Sequence, residues 1–293
     1  MKKVMAFLTL IVIFAMPIAI IFTMPITLIA SPLETLMGQA LGYQATVPII
    51  MYHVLEDTPD SMWEITKEEF ESDLKYLAQN GFTTVVMQDL IDFVHNGRPL
   101  PPKPIVLSFD DGRTPTIDIV LPLLKEHNAR ITMAIIGKET DHYSELESLG
   151  QSTHPHMTWD KVKEMHNTGH VEIQSHTYDL HGKHGAKKLK GESEEAYKER
   201  VLKDLAKLEE KFITHIGHAP NSLAYPLGAI SNSSDDVIKL GGYLASLSCR
   251  ELNNTITVGD HQCLYGLNRF LRPPRKSSGD FFAILSDNKM MNE

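Results

Sequence analysis

Residues 105–112 read IVLSFDDG, an apolar run closed by two adjacent aspartates and a glycine. Ile105–Phe109 is apolar at four of five positions, the pattern of a strand buried on both faces, as in a parallel sheet. Asp-Gly after such a run is also a common turn signal, because both residues tolerate the backbone angles of turns. Two neighbouring carboxylates repel, and one is driven to protonate unless a cation or another partner lies close. In parallel sheets, ligands and catalytic groups collect at the carboxyl ends of strands. The meaning of Asp110–Asp111 therefore depends on what the rest of the chain brings to them.

Outward from this stretch, strand-like and helix-like segments alternate from Val47 onward. VPIIMY (47–52), FTTVVM (82–87), RITMAIIG (130–137), VEIQS (171–175), SLAY (222–225), YLASL (243–247) and LNRFL (267–271) read as strands. Between them, 66–81 reads as a helix with a capping box at Thr66 and Glu69, ended by Asn80-Gly81. Residues 89–97, a segment opening at Thr114-Pro115, 158–169 and 192–212 read as further helices. The last carries Tyr197, Val201, Leu205, Leu208 and Phe212 in one stripe. This alternation predicts an α/β domain, a (β/α) barrel of about seven strands.

The chain has 293 residues, enough for one large domain and an appendage. Its net charge of −9, with no Lys/Arg run, argues against nucleic-acid binding, and no motif marks an obligate protein partner. Cys249 and Cys263 match no zinc spacing; they suit either a disulfide or two buried thiols. After MKK, Val4–Ala30 carries no charge and is long enough to span a bilayer. The expected organisation is a membrane anchor over 1–30, a linker over 31–46 and one domain over 47–293. Lys2 and Lys3 would hold the N-terminus inside, leaving the domain extracellular. A cleaved signal, with small residues at MGQA (37–40), is the alternative.

VEIQSHTYDLH places His176 and His181 five residues apart. Neither a helix nor a strand brings such a pair together. They converge only if the strand ends near His176 and the chain curls back through Tyr178–Leu180, where Asp179 favours a turn. Two histidines and a carboxylate at strand ends would make a metal site with open positions for water. In a chain with fourteen histidines, chance loop histidines are the competing reading.

SFDDG, SHTYDLH and LAYPLG, in this order, resemble the polysaccharide deacetylase family, carbohydrate esterase family 4, also called the NodB homology domain. VPIIMYH and TWDKVKEMHNTGHVEIQSHT resemble its poly-N-acetylglucosamine deacetylase subgroup, and the resemblance covers roughly Val47–Leu271. It implies a deformed (β/α) barrel and metal-dependent removal of acetyl groups from a polysaccharide. By position, Asp111, His176 and His181 match the metal ligands and Asp110 the general base. In LAYPLG the match points to the backbone N–H of Leu227 as oxyanion donor. No Leu-x-His motif follows Tyr225, so the acid for the leaving amine maps instead onto His53 of the N-terminal YH, with His261 next in line. Many relatives carry an arginine where this chain has Ala224; Arg269 is a candidate replacement, and a surface salt bridge is the other reading of it. Tyr178 and Trp159 could stack on a sugar, though core packing suits both better.

The expected activity is a hydrolase acting on carbon–nitrogen bonds, removing N-acetyl groups from an extracellular or cell-wall polysaccharide of the N-acetylglucosamine type, with poly-N-acetylglucosamine, peptidoglycan, chitooligosaccharide and acetylated xylan all open as the glycan. Zinc is the expected metal, with cobalt, nickel and iron as alternatives. A non-catalytic glycan-binding barrel and an acetyl-ester or non-sugar amide hydrolase are the competing functions.

Overall fold

The apolar run before the paired aspartates forms a six-residue strand with every side chain buried. The computed structural model describes residues 42–151 and 155–287. Its strands are β1 (Gln44–Val47), β2 (Ile49–Tyr52), β3 (Val54–Leu55), β4 (Glu64–Ile65), β5 (Thr83–Val85), β6 (Pro104–Phe109), β7 (Ile131–Ile135), β8 (Val171–Ser175), β9 (Ser222–Ala224), β10 (Ala245–Leu247), β11 (Asn254–Thr257) and β12 (Phe270–Leu271). The helices between them are α1 (Lys67–Gln79), α2 (Met87–Asn96), α3 (Thr114–Glu126), α4 (Gly137–Ser148), α5 (Trp159–Asn167), α6 (Glu194–His215) and α7 (Ser234–Leu240).

Seven strands pair in the order β10-β9-β8-β7-β6-β2-β12, and β5 adds to the start of β6. Every pairing in this sheet is parallel. The Leu267 N–H donates to the Ser246 carbonyl at 2.8 Å, tying the β10 edge to the segment that leads into β12. The sheet thus curls into an incomplete barrel, where the alternation predicts a barrel of about seven strands. β1 and β11 form a separate antiparallel pair, so the stretch read as linker contributes a strand at its C-terminal end.

Side chains alternate across the barrel wall, as the period of a strand requires. Ile105, Leu107 and Phe109 of β6 face the outer core beneath the helices, with Ile131, Met133 and Ile135 of β7. Val106 faces the inner core, with Ile49, Ala134, Ala224 and Leu247. Continued by one step, the inner parity of β6 runs Val106, Ser108, Asp110, and that of β8 runs Glu172, Gln174, His176. The barrel interior is where these polar groups meet.

The capping box on α1 is present: the Thr66 hydroxyl accepts the Glu69 N–H at 3.2 Å, and the Glu69 carboxylate accepts the Thr66 N–H at 2.8 Å. Phe70, Leu74 and Leu77 are buried along this helix as the stripe predicts, and so is Asp73. Its carboxylate receives Arg272 at 2.8 and 3.1 Å, the Tyr52 hydroxyl at 3.1 Å and the Ser278 hydroxyl at 2.7 Å.

Several sequence expectations differ. α2 starts at Met87, inside the stretch read as strand, because the Glu172 carboxylate on β8 accepts the N–H groups of Met87 and Gln88 at 2.9 and 2.8 Å. That carboxylate satisfies helix-start donors from a distant strand. The sequence pattern predicts no element over α4, α7, β3, β4 and β11. α4 buries little beyond Gly137 and Thr140, so it offers no clear apolar stripe. Among the described residues no helix is long and apolar enough to cross a membrane. The expected anchor over Val4–Ala30 lies outside the described residues.

Candidate active site

Four strand ends converge at one mouth of the barrel. β2 delivers His53, β6 delivers Asp110 and Asp111, β8 delivers His176, and β9 leads into Leu227. These residues and His181 line one cleft of about 490 Å³, with Trp63, Glu64 and Cys249 among its other walls.

The strand could not present both aspartates and both histidines by regular geometry alone. Asp111 escapes β6 by adopting φ 73°, and Thr177 leaves β8 with φ 70°. Leu227 sits at φ 60° in a short turn. Six non-glycine residues among those described have positive φ; Asp111 and Leu227 line the cleft, and Thr177 directly follows its His176. Such conformations persist only where surrounding structure enforces them, and they concentrate at functional sites.

The curl after His176 has an identifiable clamp. The Asp204 carboxylate, on the buried face of α6, accepts the N–H of Tyr178 at 2.8 Å and of Asp179 at 2.7 Å. The Thr177 hydroxyl accepts the Leu180 N–H at 3.2 Å. The chain turns back where the sequence required, and the two histidine rings lie 4.9 Å apart. Asp204→Ala is expected to lower stability by about 1–3 kcal/mol, the range for losing hydrogen bonds to a charged acceptor. It should also weaken metal binding. Urea unfolding and a metal titration check both, and unchanged values in each would show that Asp204 does not hold His181.

Asp111, His176 and His181 bring ligand atoms within 4.8 Å of one another. His176 Nε2 lies 3.6 Å and His181 Nε2 3.3 Å from Asp111 Oδ1. That oxygen is buried and has no hydrogen-bond donor. His176 Nδ1 donates to the Ala224 carbonyl at 2.8 Å, which leaves the lone pair of Nε2 facing the cluster. An acceptor-only oxygen and an oriented imidazole lone pair are the donor set that a divalent cation fits. Glu71, Glu126 and His127 also approach within 4.8 Å of one another, but at the outer surface, where Lys75 already pairs with Glu71.

Asp110 is held differently. Arg269 Nη1 donates to its Oδ1 at 2.8 Å and to the Ser108 hydroxyl at 2.8 Å. Arg269 Nε donates to the Ser248 carbonyl at 2.8 Å. The guanidinium is completely buried, so the surface salt bridge considered for Arg269 does not apply. Burial alone would raise the Asp110 pKa, but Arg269, His176 and His53 outweigh it and hold the carboxyl well below the usual carboxylate range. Oδ2 faces His53 Nε2 and His176 Nε2, each at 4.0 Å. Burial pulls His53 below its ordinary value, against the opposing pull of Asp110 and Asp111.

Residues 97–245, about half of the chain, match the family model described as Polysaccharide deacetylase. The chain belongs to the polysaccharide deacetylase family. The deacetylase is 25% identical over 203 residues to a poly-beta-1,6-N-acetyl-D-glucosamine N-deacetylase of Staphylococcus aureus, a match spanning 68% of this chain and 66% of that protein. Its fold matches a de-N-acetylase from Aggregatibacter actinomycetemcomitans with TM-score 0.67 and 26% identity, over 83% of this chain and 99% of that one. A deacetylase domain from Bordetella bronchiseptica matches with TM-score 0.62 and 26% identity, over 78% and 96% of the two chains. The expected enzyme class, a hydrolase of carbon–nitrogen bonds, agrees with the family and these relatives.

Other residues of the deacetylase fall outside the sequence reading or refine it. His156 Nδ1 donates to the Asp111 carbonyl at 3.0 Å and so supports the strained aspartate, a role outside the sequence expectations. Its partner lies 45 residues away, and nothing local announces the contact. Asp204 did carry a signal: it lies between Val201 and Leu205 on the apolar stripe of α6. Trp159 and Tyr178 are buried, both bonded to Asp141, so core packing holds for each. Cys249 and Cys263 are free thiols. His261 stacks on His95 at 3.9 Å and is not among the residues of the cleft.

Proposed function

We infer that the deacetylase removes N-acetyl groups from an N-acetylglucosamine-type polysaccharide with the help of a divalent cation, outside the cytoplasmic membrane. The observation that carries this reading is the separation of labour inside one cleft: an Asp-His-His donor set beside a second aspartate committed to an arginine. A cation held by Asp111, His176 and His181, with zinc the best fit and cobalt, nickel or iron suited to the same donors, would polarise the acetyl carbonyl and acidify a water.

The chain's own groups do the rest. With Oδ1 of Asp110 committed to Arg269, Oδ2 is the oxygen left to take the proton of the attacking water. The Leu227 N–H, set by its left-handed turn, is the donor assigned to the developing oxyanion. His53 Nε2 lies on the same side as Oδ2 and is assigned to protonate the nitrogen as the carbon–nitrogen bond breaks. The water oxygen leaves in acetate, and the sugar keeps a free amine. A second hollow of about 330 Å³ adjoins the cleft across Asp111, Arg113 and His181, which supports a chain-like substrate.

The experiment is acetate release from β-1,6-linked poly-N-acetylglucosamine, chitooligosaccharides and acetylated xylan, with and without a chelator. Release from an N-acetylated glycan, abolished by chelation and restored by zinc, is the expected result. Release untouched by chelation, or from no glycan at all by the metal-loaded protein, overturns the reading.

The pH profile carries a further expectation. Asp110 is held so low that its titration lies beyond the usual range, so acid loss of activity should accompany loss of the ion as the ligand histidines protonate. His53 must hold a proton to act as an acid. Because burial lowers its pKa, that proton leaves at lower pH than usual, and the alkaline limb of kcat/KM should lie below 6.5. His53→Ala should remove that limb and leave the metal content unchanged. An alkaline limb that survives the substitution excludes His53 as its source.

The uncharged Val4–Ala30, preceded by Lys2 and Lys3, supports a tether with the catalytic domain outside. Protease added to intact spheroplasts should then digest the domain; full protection would place it inside.

A further inference from the structure

Trp63 is the large aromatic residue at the rim of the cleft, and its side chain is unusually open. Its relative exposure is 43%, whereas the chain's other tryptophan, Trp159, is buried at 3%. The Trp63 indole lies against His53, with ring centroids 4.7 Å apart and planes inclined by 58°. It is not on a loose loop. The Trp63 carbonyl accepts the Val54 N–H at 3.2 Å, one residue beyond His53, and the Trp63 N–H donates to the Ser61 hydroxyl at 3.3 Å. β3 and β4 pair directly beside it. Glu64, the next residue, lines the same cleft and has one oxygen anchored by the Asp60 N–H at 2.9 Å.

An indole held rigid and half-exposed, touching the proposed proton donor, has no packing reason to stay uncovered. Apolar ring surface displayed beside a polar cleft suits a ligand with one apolar face and a polar periphery. A pyranose is such a ligand: its axial C–H groups form an apolar face, and its hydroxyls ring the edge. We propose that Trp63 is the platform on which the pyranose undergoing deacetylation stacks, with Glu64 receiving a hydroxyl of that sugar. The platform supplies binding that only a ring-bearing substrate can collect and so selects substrates that carry a sugar ring. This rests on the deacetylase reading above.

The test compares two substrates of the purified, metal-loaded full chain: an N-acetylglucosamine oligomer and vinyl acetate, a small activated ester with no ring to stack. Trp63→Ala is expected to raise KM for the oligomer by roughly ten-fold or more, the loss typical of an aromatic anchor that its ligand covers. It should leave ester hydrolysis within about two-fold, since uniform binding to the ring is what is removed. Trp63→Phe should recover most of the loss. Binding can be read without turnover: the oligomer should perturb the tryptophan emission of the wild type and leave that of Trp63→Phe unperturbed, because only buried Trp159 remains there. An unchanged KM in Trp63→Ala overturns the proposal. So does a fall in kcat shared by oligomer and ester, which would make Trp63 a support for His53 alone. If the wild type released no acetate from any glycan, the functional reading would fail instead, and the emission titration would still decide whether Trp63 contacts a sugar.

Discussion

Asp110→Asn is expected to lower kcat by roughly 10²–10⁴, the contribution of a positioned base, with the metal content unchanged from wild type. The substitution preserves shape and leaves an acceptor for Arg269, but it removes the carboxylate oxygen that faces His53 and His176. His176→Ala should behave in the opposite sense. It deletes the imidazole whose Nδ1 is anchored on Ala224 and whose Nε2 faces Asp111, so the ion is lost and activity falls with it. Elemental analysis beside acetate release separates the two variants. An Asp110→Asn protein without metal would move Asp110 into the ligand set. A His176→Ala protein with full metal and full activity would remove His176 from it.

The second large effect is on stability. Asp73→Ala is expected to cost about 3–5 kcal/mol, because it strands a buried guanidinium. Arg272 is 1% exposed and gives two hydrogen bonds to Asp73, joining α1 to the segment after β12. Against a total of about 5–15 kcal/mol for a domain, such a loss leaves little in reserve. Urea unfolding should show a lower midpoint with an unchanged slope. Replacing both partners with apolar residues, as in Asp73→Leu with Arg272→Met, should recover much of the deficit. A single variant that loses under about 1 kcal/mol would mean that water reaches Arg272 and replaces the carboxylate.

The catalytic rim was the legible part of the chain because strand ends announce themselves. An apolar run that stops at Asp110, another that stops at His176 and a third that stops at His53 each mark a carboxyl end, and a parallel sheet gathers such ends at one mouth. What supports the rim was hidden. Arg269 and Asp110 stand 159 residues apart, and Asp204 reaches the turn after His176 from 25 and 26 residues away. A charged residue in LNRFL looks the same locally whether it ends in solvent or in the barrel interior. Glu172 capping α2 from 84 and 85 residues away moved a helix start for the same reason. Local patterns fix an element's type, whereas its boundary and its polar partners are decided by contacts between distant segments.

The Arg269 guanidinium enters the barrel from the start of β12, the last strand of the sheet in chain order. A chain that has formed β6 but not yet docked β12 has two adjoining aspartates and no arginine between them and the inner core. In that intermediate, burying Asp110 favours its protonated form, which cannot act as a base. Chemical competence therefore arrives with the final docking step, and a nascent or clipped chain lacking β12 should remain inert toward acetylated glycans even where Asp111, His176 and His181 have already gathered.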